Sequence, residues 1–134
     1  MPDSIPNHQN SLDRAWDIQE QAAGLGFDWP TIDGVFAKVE EELNEIKAAW
    51  AEGDREHAKR ELGDLLFVAV NLARHLQANP HQELDRTNLR FTRRFNMVKE
   101  EVARRRKQIH ECSIPELDLI WEQVKHALST SDKK

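Results

Sequence analysis

Apolar residues recur at helical spacing along most of the chain, and this pattern predicts five helices and no strand. The first helix is expected from about Leu12 to Ala23, with Gly24 and Gly26 ending it, because glycine suits a helix C-terminus. Asp33 is the predicted N-cap of a second helix. The apolar stripe of that second helix consists of Phe36, Val39, Leu43, Ile46 and Trp50.

The next three helices have equally clear starting signals. Gly-Asp at 53–54 breaks the second helix and starts the third, which is expected to continue to about Ala78. Asn-Pro at 79–80 caps a fourth helix, predicted to reach about Gln108, and "SIPE" at 113–116 opens a short fifth. The apolar stripe of the third helix consists of Leu62, Leu65, Leu66, Ala69, Leu72, Ala73 and Leu76.

One segment, "LLFVAV" at 65–70, has residues that suit a strand, but it lies within a longer stripe of period 3.6, which favours a helix. Amphipathic helices with short connections predict an all-α antiparallel bundle of four to five helices. We expect residues 12–128 to form the domain, with residues 1–11 and 129–134 as N-terminal and C-terminal tails.

Composition narrows the class of protein. A chain of 134 residues with 39% hydrophobic content has the size of one domain, and its net charge of −5 argues against a whole-surface nucleic-acid binder. The first fifteen residues lack a signal-peptide pattern, and no apolar run approaches the roughly 20 residues of a membrane helix, so a cytoplasmic protein is expected. Cys112 is the single cysteine, which excludes an internal disulfide and a cysteine-based zinc site.

Two acidic couplets lie beside the apolar stripes, Glu42 with Glu45 and Glu61 with Asp64. On a helical wheel the first member of each couplet lies roughly 80° from the stripe centre and the second roughly 140°, so the couplets can converge if the helices pack antiparallel. Two carboxylates about 6 Å apart repel by roughly 3 kcal/mol at an effective dielectric near 20, so a cation is expected between them. Oxygen ligands suit Mg²⁺ or Mn²⁺.

Two other interpretations of the couplets compete with a magnesium site. Acidic residues three apart are common on solvated helix faces, where they form ion pairs with neighbouring lysines. A di-iron site on a bundle would use Glu-x-x-His on facing helices. That spacing does not occur in the sequence, which argues against an oxygen-activating iron site.

The fourth predicted helix is basic in an otherwise acidic chain. Arg90 and Arg94 lie one turn apart with Asn88 nearby, and guanidinium groups bind phosphate oxygens in a bidentate manner. The run at 104–107 is interpreted as a solvated basic face. Acidic helices that hold a metal, together with a basic helix that donates to anions, predict a site for a metal-phosphate compound.

Three segments carry a recognisable motif: "KVEEELNEIKAAW" at 38–50, "ELGDLLFVAVNLARHL" at 61–76 and "NLRFTRRF" at 88–95. They resemble the pattern of the MazG-like nucleoside triphosphate pyrophosphohydrolases, which is E-E-x-x-E, a spacer, E-x-x-D, and N-x-K-F-x-x-R-F. The similarity extends from about Gln19 to Lys125 and is greatest to the C-terminal MazG domain of longer two-domain proteins.

The resemblance implies an all-α fold completed by dimerisation, as a homodimer or homotetramer. It also implies Mg²⁺-dependent conversion of an NTP or dNTP to its monophosphate and pyrophosphate. Three substrate-site positions follow from it: Glu41 completes the E-E-x-x-E pattern, and Asn88 and Arg94 match the asparagine and arginine that approach metal and phosphates. Arg90 stands where the family usually has lysine. The metal-binding and catalytic carboxylates fall on Glu42, Glu45, Glu61 and Asp64.

The hypothesis is direct hydrolysis, in which the metal polarises the phosphate oxygens and a water, and Glu42 or Glu45 accepts the proton. Trp29, in the glycine-containing loop, is the candidate to stack on the nucleobase, although tryptophans in small bundles are more often core or interface residues. His57 and His75 are interpreted as surface or satisfied groups.

Two alternatives belong to other classes of protein. One is a non-catalytic helical module that binds nucleotides or a partner protein, and it would not need both couplets intact. The other is a basic-helix nucleic-acid binder, whose affinity would depend on salt and not on Mg²⁺.

Overall fold

The computed structural model describes residues 10–132, with side chains as far as residue 129. Within that range the backbone forms five α-helices and one short 3-10 helix, without a strand, so the predicted all-α fold is confirmed. Residues 1–9 and 133–134 of the predicted tails lie outside the described residues. The elements are α1 Ser11–Gly24, α2 Ile32–Ala51, α3 Arg55–His75, α4 Pro80–Arg104, the 3-10 helix Ile109–Glu111 and α5 Ile114–Asp132.

The chain divides into two compact units, Met1–Glu83 and Leu84–Lys134. In the first unit, α2 and α3 are joined by a short turn and pack along their length. Gly53 adopts φ 76° in that turn, a conformation that glycine accepts without strain. Helix α1 packs on α3, where the buried Gln19 donates from Nε2 to the carbonyl oxygen of Phe67 at 2.9 Å.

The loop between α1 and α2 is tied to the C-terminal end of α3 by ion pairs. Asp28 accepts from Arg74 Nη2 at 2.9 Å and lies 3.1 Å from His75 Nε2. Arg74 Nε also donates to Glu20 on α1 at 3.0 Å. The hydrogen bond from Arg74 is the main cause of the lowered pKa of Asp28, about 2. The loop that carries Trp29 is therefore anchored to α3.

The second unit has its own small core. Val98 and Val102 of α4 pack with Ile120 and Val124 of α5. The connection between these helices is held by Glu116, which forms ion pairs with Arg105 and Lys107 at 3.2 and 3.1 Å.

Helix boundaries follow the sequence signals where a cap or a glycine is present. Asp54 accepts from the backbone N–H of His57 at 3.0 Å, as expected of an N-cap. Asn79 Oδ1 likewise accepts from the backbone N–H groups of residues 81 and 82. The prediction for Asp33 was wrong: α2 begins two residues earlier than that cap implies, with Thr31 at the cap position, and Asp33 lies in the first turn.

Two helices end earlier than predicted. Helix α3 stops at His75 instead of about Ala78, and α4 stops at Arg104 instead of about Gln108. In both cases a non-glycine residue just past the helix has a left-handed backbone, Gln77 with φ 56° and Arg106 with φ 59°. No glycine or proline marks these ends, so the sequence carried no stop signal.

The buried stripe of α2 also differs from the prediction. Its buried residues are Val35, Glu42 and Ala49, whereas the predicted core residues Phe36 and Trp50 are 46% and 64% exposed. Val39 and Ile46 of the predicted stripe remain partly buried. On a helical wheel the buried face of α2 is therefore displaced by roughly 60° from the one that hydrophobicity alone predicts. Glu42 is therefore buried within the first unit instead of lying at the edge of the apolar stripe. On α3, the predicted core residues Leu62 and Leu66 are also about half exposed.

No helix among the described residues is long and apolar enough to cross a bilayer.

Candidate functional site

The two acidic couplets converge where α2 packs against α3. Single ligand atoms of Glu42, Glu61 and Asp64 lie within 4.8 Å of one another, and so do those of Glu45, His57 and Glu61. We call these five residues the acidic cluster. Residues three apart lie on the same face of a helix, about one turn from each other. Packing of α2 against α3 therefore brings the two couplets next to each other.

Glu42 is the most deeply placed carboxylate of the cluster, with 5% of its surface exposed. Its Oε1 lies 3.2 Å from Lys38 Nζ, which is also 3.1 Å from Glu41 Oε1. These two carboxylates, Glu41 first, raise the pKa of Lys38. The other oxygen, Oε2, is buried and has no hydrogen-bond partner among the described residues. A buried carboxylate oxygen without a partner is unfavourable, and it is well suited to bind a cation.

Glu61 shows the electrostatic consequence of this convergence. The neighbouring carboxylate of Glu42, then burial and then the charge of Glu45 raise the pKa of Glu61 to about 7, while the contact with His57 opposes the rise. Negative charge therefore accumulates beyond what Lys38 neutralises. A divalent cation would reverse this effect, because it favours the ionised form of every carboxylate around it.

His57 is a member of the cluster that the sequence did not identify. Its Nε2 lies 3.1 Å from Glu61 Oε1, one helical turn along α3, and its ring is 39% exposed. The interpretation as a satisfied histidine holds, since Glu61 is its partner. The available signal was the i,i+4 spacing of histidine and glutamate on one helix.

The predicted phosphate-binding residues lie on α4, in the second unit. Asn88 and Arg90 are exposed and Arg94 is half-buried. Arg90 Nη2 donates to Thr87 Oγ1 at 3.2 Å. Farther along the helix, Arg104 and Arg105 pair with Glu101, in agreement with a solvated basic face.

Trp29 lines a cavity of about 380 Å³ in the first unit. Its ring lies against the start of α2, where a Cβ added at Gly34 would be 2.6 Å from Trp29 Cε3. This close approach explains why glycine occupies position 34. The other residues around the cavity are Ile18, Gln19, Ala22, Gly26, Phe27, Asp28, Phe67, Asn71 and Arg74.

Comparison with known proteins adds independent information. The family model described as the MazG nucleotide pyrophosphohydrolase domain matches residues 31–110. That range includes the acidic cluster and the predicted phosphate-binding residues of α4, but not Trp29.

Several curated proteins are similar to this chain. The nucleoside triphosphate pyrophosphohydrolase of Escherichia coli (strain K12) is 40% identical over 125 residues, which are 92% of this chain and 48% of that protein. The nucleoside triphosphate pyrophosphohydrolase/pyrophosphatase MazG of Thermotoga maritima is 39% identical over 115 residues, 86% of this chain and 44% of that protein. The uncharacterized protein YabN of Bacillus subtilis is 35% identical over 76 residues, 56% of this chain and 16% of that protein.

The chain spans about half the length of the first two relatives. Which half of them it corresponds to remains a prediction. The family model, however, covers more than half of this chain, and it includes all the carboxylates that converge between α2 and α3. This protein therefore belongs to the MazG nucleotide pyrophosphohydrolase family.

Proposed function

We propose that this protein hydrolyses nucleoside triphosphates or deoxynucleoside triphosphates to the monophosphate and pyrophosphate, with Mg²⁺ as its cofactor and Mn²⁺ as a possible substitute. The observation that carries the proposal is the convergence of Glu42, Glu45, Glu61 and Asp64 between two packed helices. The names of the relatives support the reaction type.

The residues present fit a magnesium ion. All four carboxylates offer hard oxygen ligands, which Mg²⁺ prefers. Glu42 Oε2 is buried without a partner, and the raised pKa of Glu61 shows that the cluster carries excess negative charge. Glu42, Glu45, Glu61 and Asp64 would hold the ion.

The bound ion supplies charge neutralisation of the polyphosphate and makes a nearby water more acidic. Lys38 binds Glu42 Oε1 and so leaves Oε2 of that carboxylate for the ion, while Glu41 holds Lys38 in place. Glu45 is the exposed carboxylate of its couplet, so we assign it two roles: one oxygen would bind a cation and the other would accept the proton of the attacking water.

We assign binding of the substrate phosphates to Asn88, Arg90 and Arg94. The two arginines are one turn apart on α4, so their guanidinium groups can donate to the same polyphosphate. Such donors stabilise the charge that develops on the leaving pyrophosphate.

We assign the nucleobase to the cavity beside Trp29. The cavity offers aromatic faces from Trp29 and Phe67, and Asn71 contributes an amide. Asn71 is seven residues beyond Asp64 on α3, which corresponds to about 10 Å along the helix axis. That separation is comparable to the distance between the base and the phosphates of a nucleotide.

We also propose that the chain acts as a homodimer or homotetramer. Two apolar stripes support this: Phe36, Leu43 and Trp50 on α2, and Leu62 and Leu66 on α3, are each between 42% and 64% exposed. Large exposed apolar surfaces on a soluble domain usually mark an interface.

The test is to incubate the purified protein with a panel of NTPs and dNTPs, with and without Mg²⁺, and to measure pyrophosphate and orthophosphate separately. We expect pyrophosphate and the nucleoside monophosphate in equal amounts, only when Mg²⁺ is present. Orthophosphate as the main product would indicate a different reaction. Nucleotide binding without any product would instead favour a non-catalytic nucleotide-binding module.

A further inference from the structure

The acidic cluster contains two overlapping ligand groups that share one carboxylate. The group Glu42, Glu61 and Asp64 offers oxygen atoms only, whereas the group Glu45, His57 and Glu61 includes an imidazole nitrogen. Glu61 belongs to both, and a carboxylate has two oxygens with which it can bridge two cations. The arrangement therefore offers two overlapping sets of ligand atoms of different chemistry.

His57 is well held for such a role. Asp54 caps α3 through the backbone N–H of His57, which fixes the residue in the first helical turn. The 3.1 Å between His57 Nε2 and Glu61 Oε1 is close to the separation of adjacent ligands on one ion, about 3.0 Å when both bonds are about 2.1 Å and at right angles.

The His57–Glu61 contact by itself would be an ordinary helix ion pair. Two further observations distinguish it. Glu45 reaches the same place from α2, within 4.8 Å of both side chains. Glu42, whose buried Oε2 has no partner among the described residues, belongs to the neighbouring group around Glu61.

We propose that His57 is a metal ligand, and that with Glu45 and Glu61 it forms a second cation position that prefers transition-metal dications such as Mn²⁺ and Co²⁺ to Mg²⁺. This inference rests on the proposed function, in which the carboxylates bind a divalent cation. The physical reason is that Mg²⁺ selects oxygen ligands, whereas an imidazole nitrogen binds first-row transition metals more strongly.

The experiment compares His57→Gln with His81→Gln in the full chain. His81 is a matched control, because it is 37% exposed, lies 2.7 Å from the carboxylate of Asp13 and is outside the acidic cluster. Binding of MnCl₂, CoCl₂ and MgCl₂ is measured by calorimetry without nucleotide, and electron paramagnetic resonance counts the bound Mn²⁺. Circular dichroism checks that each variant is folded.

We expect the unaltered protein and His81→Gln to bind two Mn²⁺ per chain. His57→Gln should weaken one of the two positions for Mn²⁺ and Co²⁺ by about tenfold or more, and it should change Mg²⁺ affinity by less than about twofold. Equal losses for Mg²⁺ and Mn²⁺ would overturn the proposal and make His57 a positioning residue for Glu61. Unchanged Mn²⁺ and Co²⁺ binding would overturn it as well.

A second measurement does not depend on the variant being folded. In the unaltered protein loaded with Co²⁺, a coordinated imidazole should give a strongly shifted exchangeable N–H proton resonance, and absence of such a resonance contradicts the proposal. Failure of the proposed function is distinguishable from failure here. In the first case no divalent ion binds and no pyrophosphate forms, while in the second Mg²⁺ binding and pyrophosphate release stay normal.

Discussion

Glu61 illustrates at the scale of one residue how a carboxylate can be held in surroundings that disfavour its ionised form. It lies among Glu42, Glu45 and His57, and the acidic neighbours raise its pKa to about 7. When no cation is bound, a neutral side chain of the same shape would have a lower free energy at this position. Functional sites commonly keep such unfavourable arrangements because the ligand compensates for them.

Glu61→Gln should therefore separate stability from activity. We expect pyrophosphate release to fall by at least about a hundredfold, because a carboxylate that we propose binds the cation is lost. The melting temperature in metal-free buffer at pH 8 should stay equal or rise, because repulsion is removed. Glu56→Gln, on the exposed start of the same helix, is the control and should change neither quantity greatly. A variant of Glu61 that is inactive because it is unfolded would show that this carboxylate is structural.

Asp28 represents the opposite case, a carboxylate stabilised by its surroundings. Arg74 lowers its pKa from 3.8 to about 2, so its contribution to stability is present above pH 3.8 and is lost as pH falls from 3.8 towards 2. Asp28→Asn should lower the free energy of unfolding near neutral pH by about 1–2 kcal/mol, because a partly exposed ion pair is screened by solvent. Urea unfolding of both proteins between about pH 2 and pH 7 measures this. The difference should shrink in acid, and a constant difference would contradict the assignment.

At the scale of the helices, starts were better predicted than ends. The starts carry side-chain caps, as at Asp54, Asn79 and Ser113, whose oxygens accept from backbone N–H groups of the first turn. The ends of α3 and α4 depend on Gln77 and Arg106 in left-handed conformations, which residue type alone does not indicate.

The caps of α2 and α3 offer a direct comparison. Asp54→Ala should cost about 1 kcal/mol and lower the melting temperature by about 3–5 °C, because it removes the acceptor for the His57 N–H. Asp33→Ala should lower the free energy of unfolding by less. Asp33 lies in the first turn of α2 and is not the cap residue, so it contributes only through its interaction with the helix dipole. Thermal unfolding of the two variants decides the order. Equal losses would mean that Asp33 has a capping role in solution.

At the scale of the whole molecule, the rotation of α2 has two consequences. It places Glu42 in the interface between α2 and α3, where the buried carboxylate lies close to Glu61 and Asp64. It also leaves Phe36, Leu43 and Trp50 outside, and Leu62 and Leu66 are exposed on α3. In a single chain these large apolar residues are thus exposed to solvent, as expected if a second copy of the chain covers them.

Leu62→Asp tests the proposed assembly. The unaltered protein should sediment at two or four times the mass of one chain, and the variant should dissociate with affinity reduced at least about a hundredfold, because a charge would be buried. Leu119→Asp, at a similarly exposed position on α5 outside these stripes, is the control and should keep the assembly. An unaltered protein that sediments as a monomer at all concentrations would exclude the dimer.

The sequence by itself determined the all-helical class, most helix starts, and the identity of the four carboxylates that converge. These depend on local spacing, since hydrophobic period, caps and motif residues act within a few turns of one helix. It also indicated the family, which the comparison with known proteins confirmed.

Only the tertiary structure decided the rotation of α2, the membership of His57 in the acidic cluster, and the anchoring of the Trp29 loop by Asp28 and Arg74. Each of these joins residues from different elements or depends on which face a neighbouring helix covers. A helix with apolar residues on more than one face has several orientations of similar hydrophobic free energy. Packing against neighbouring helices selects one of these orientations, and no local sequence pattern indicates which one.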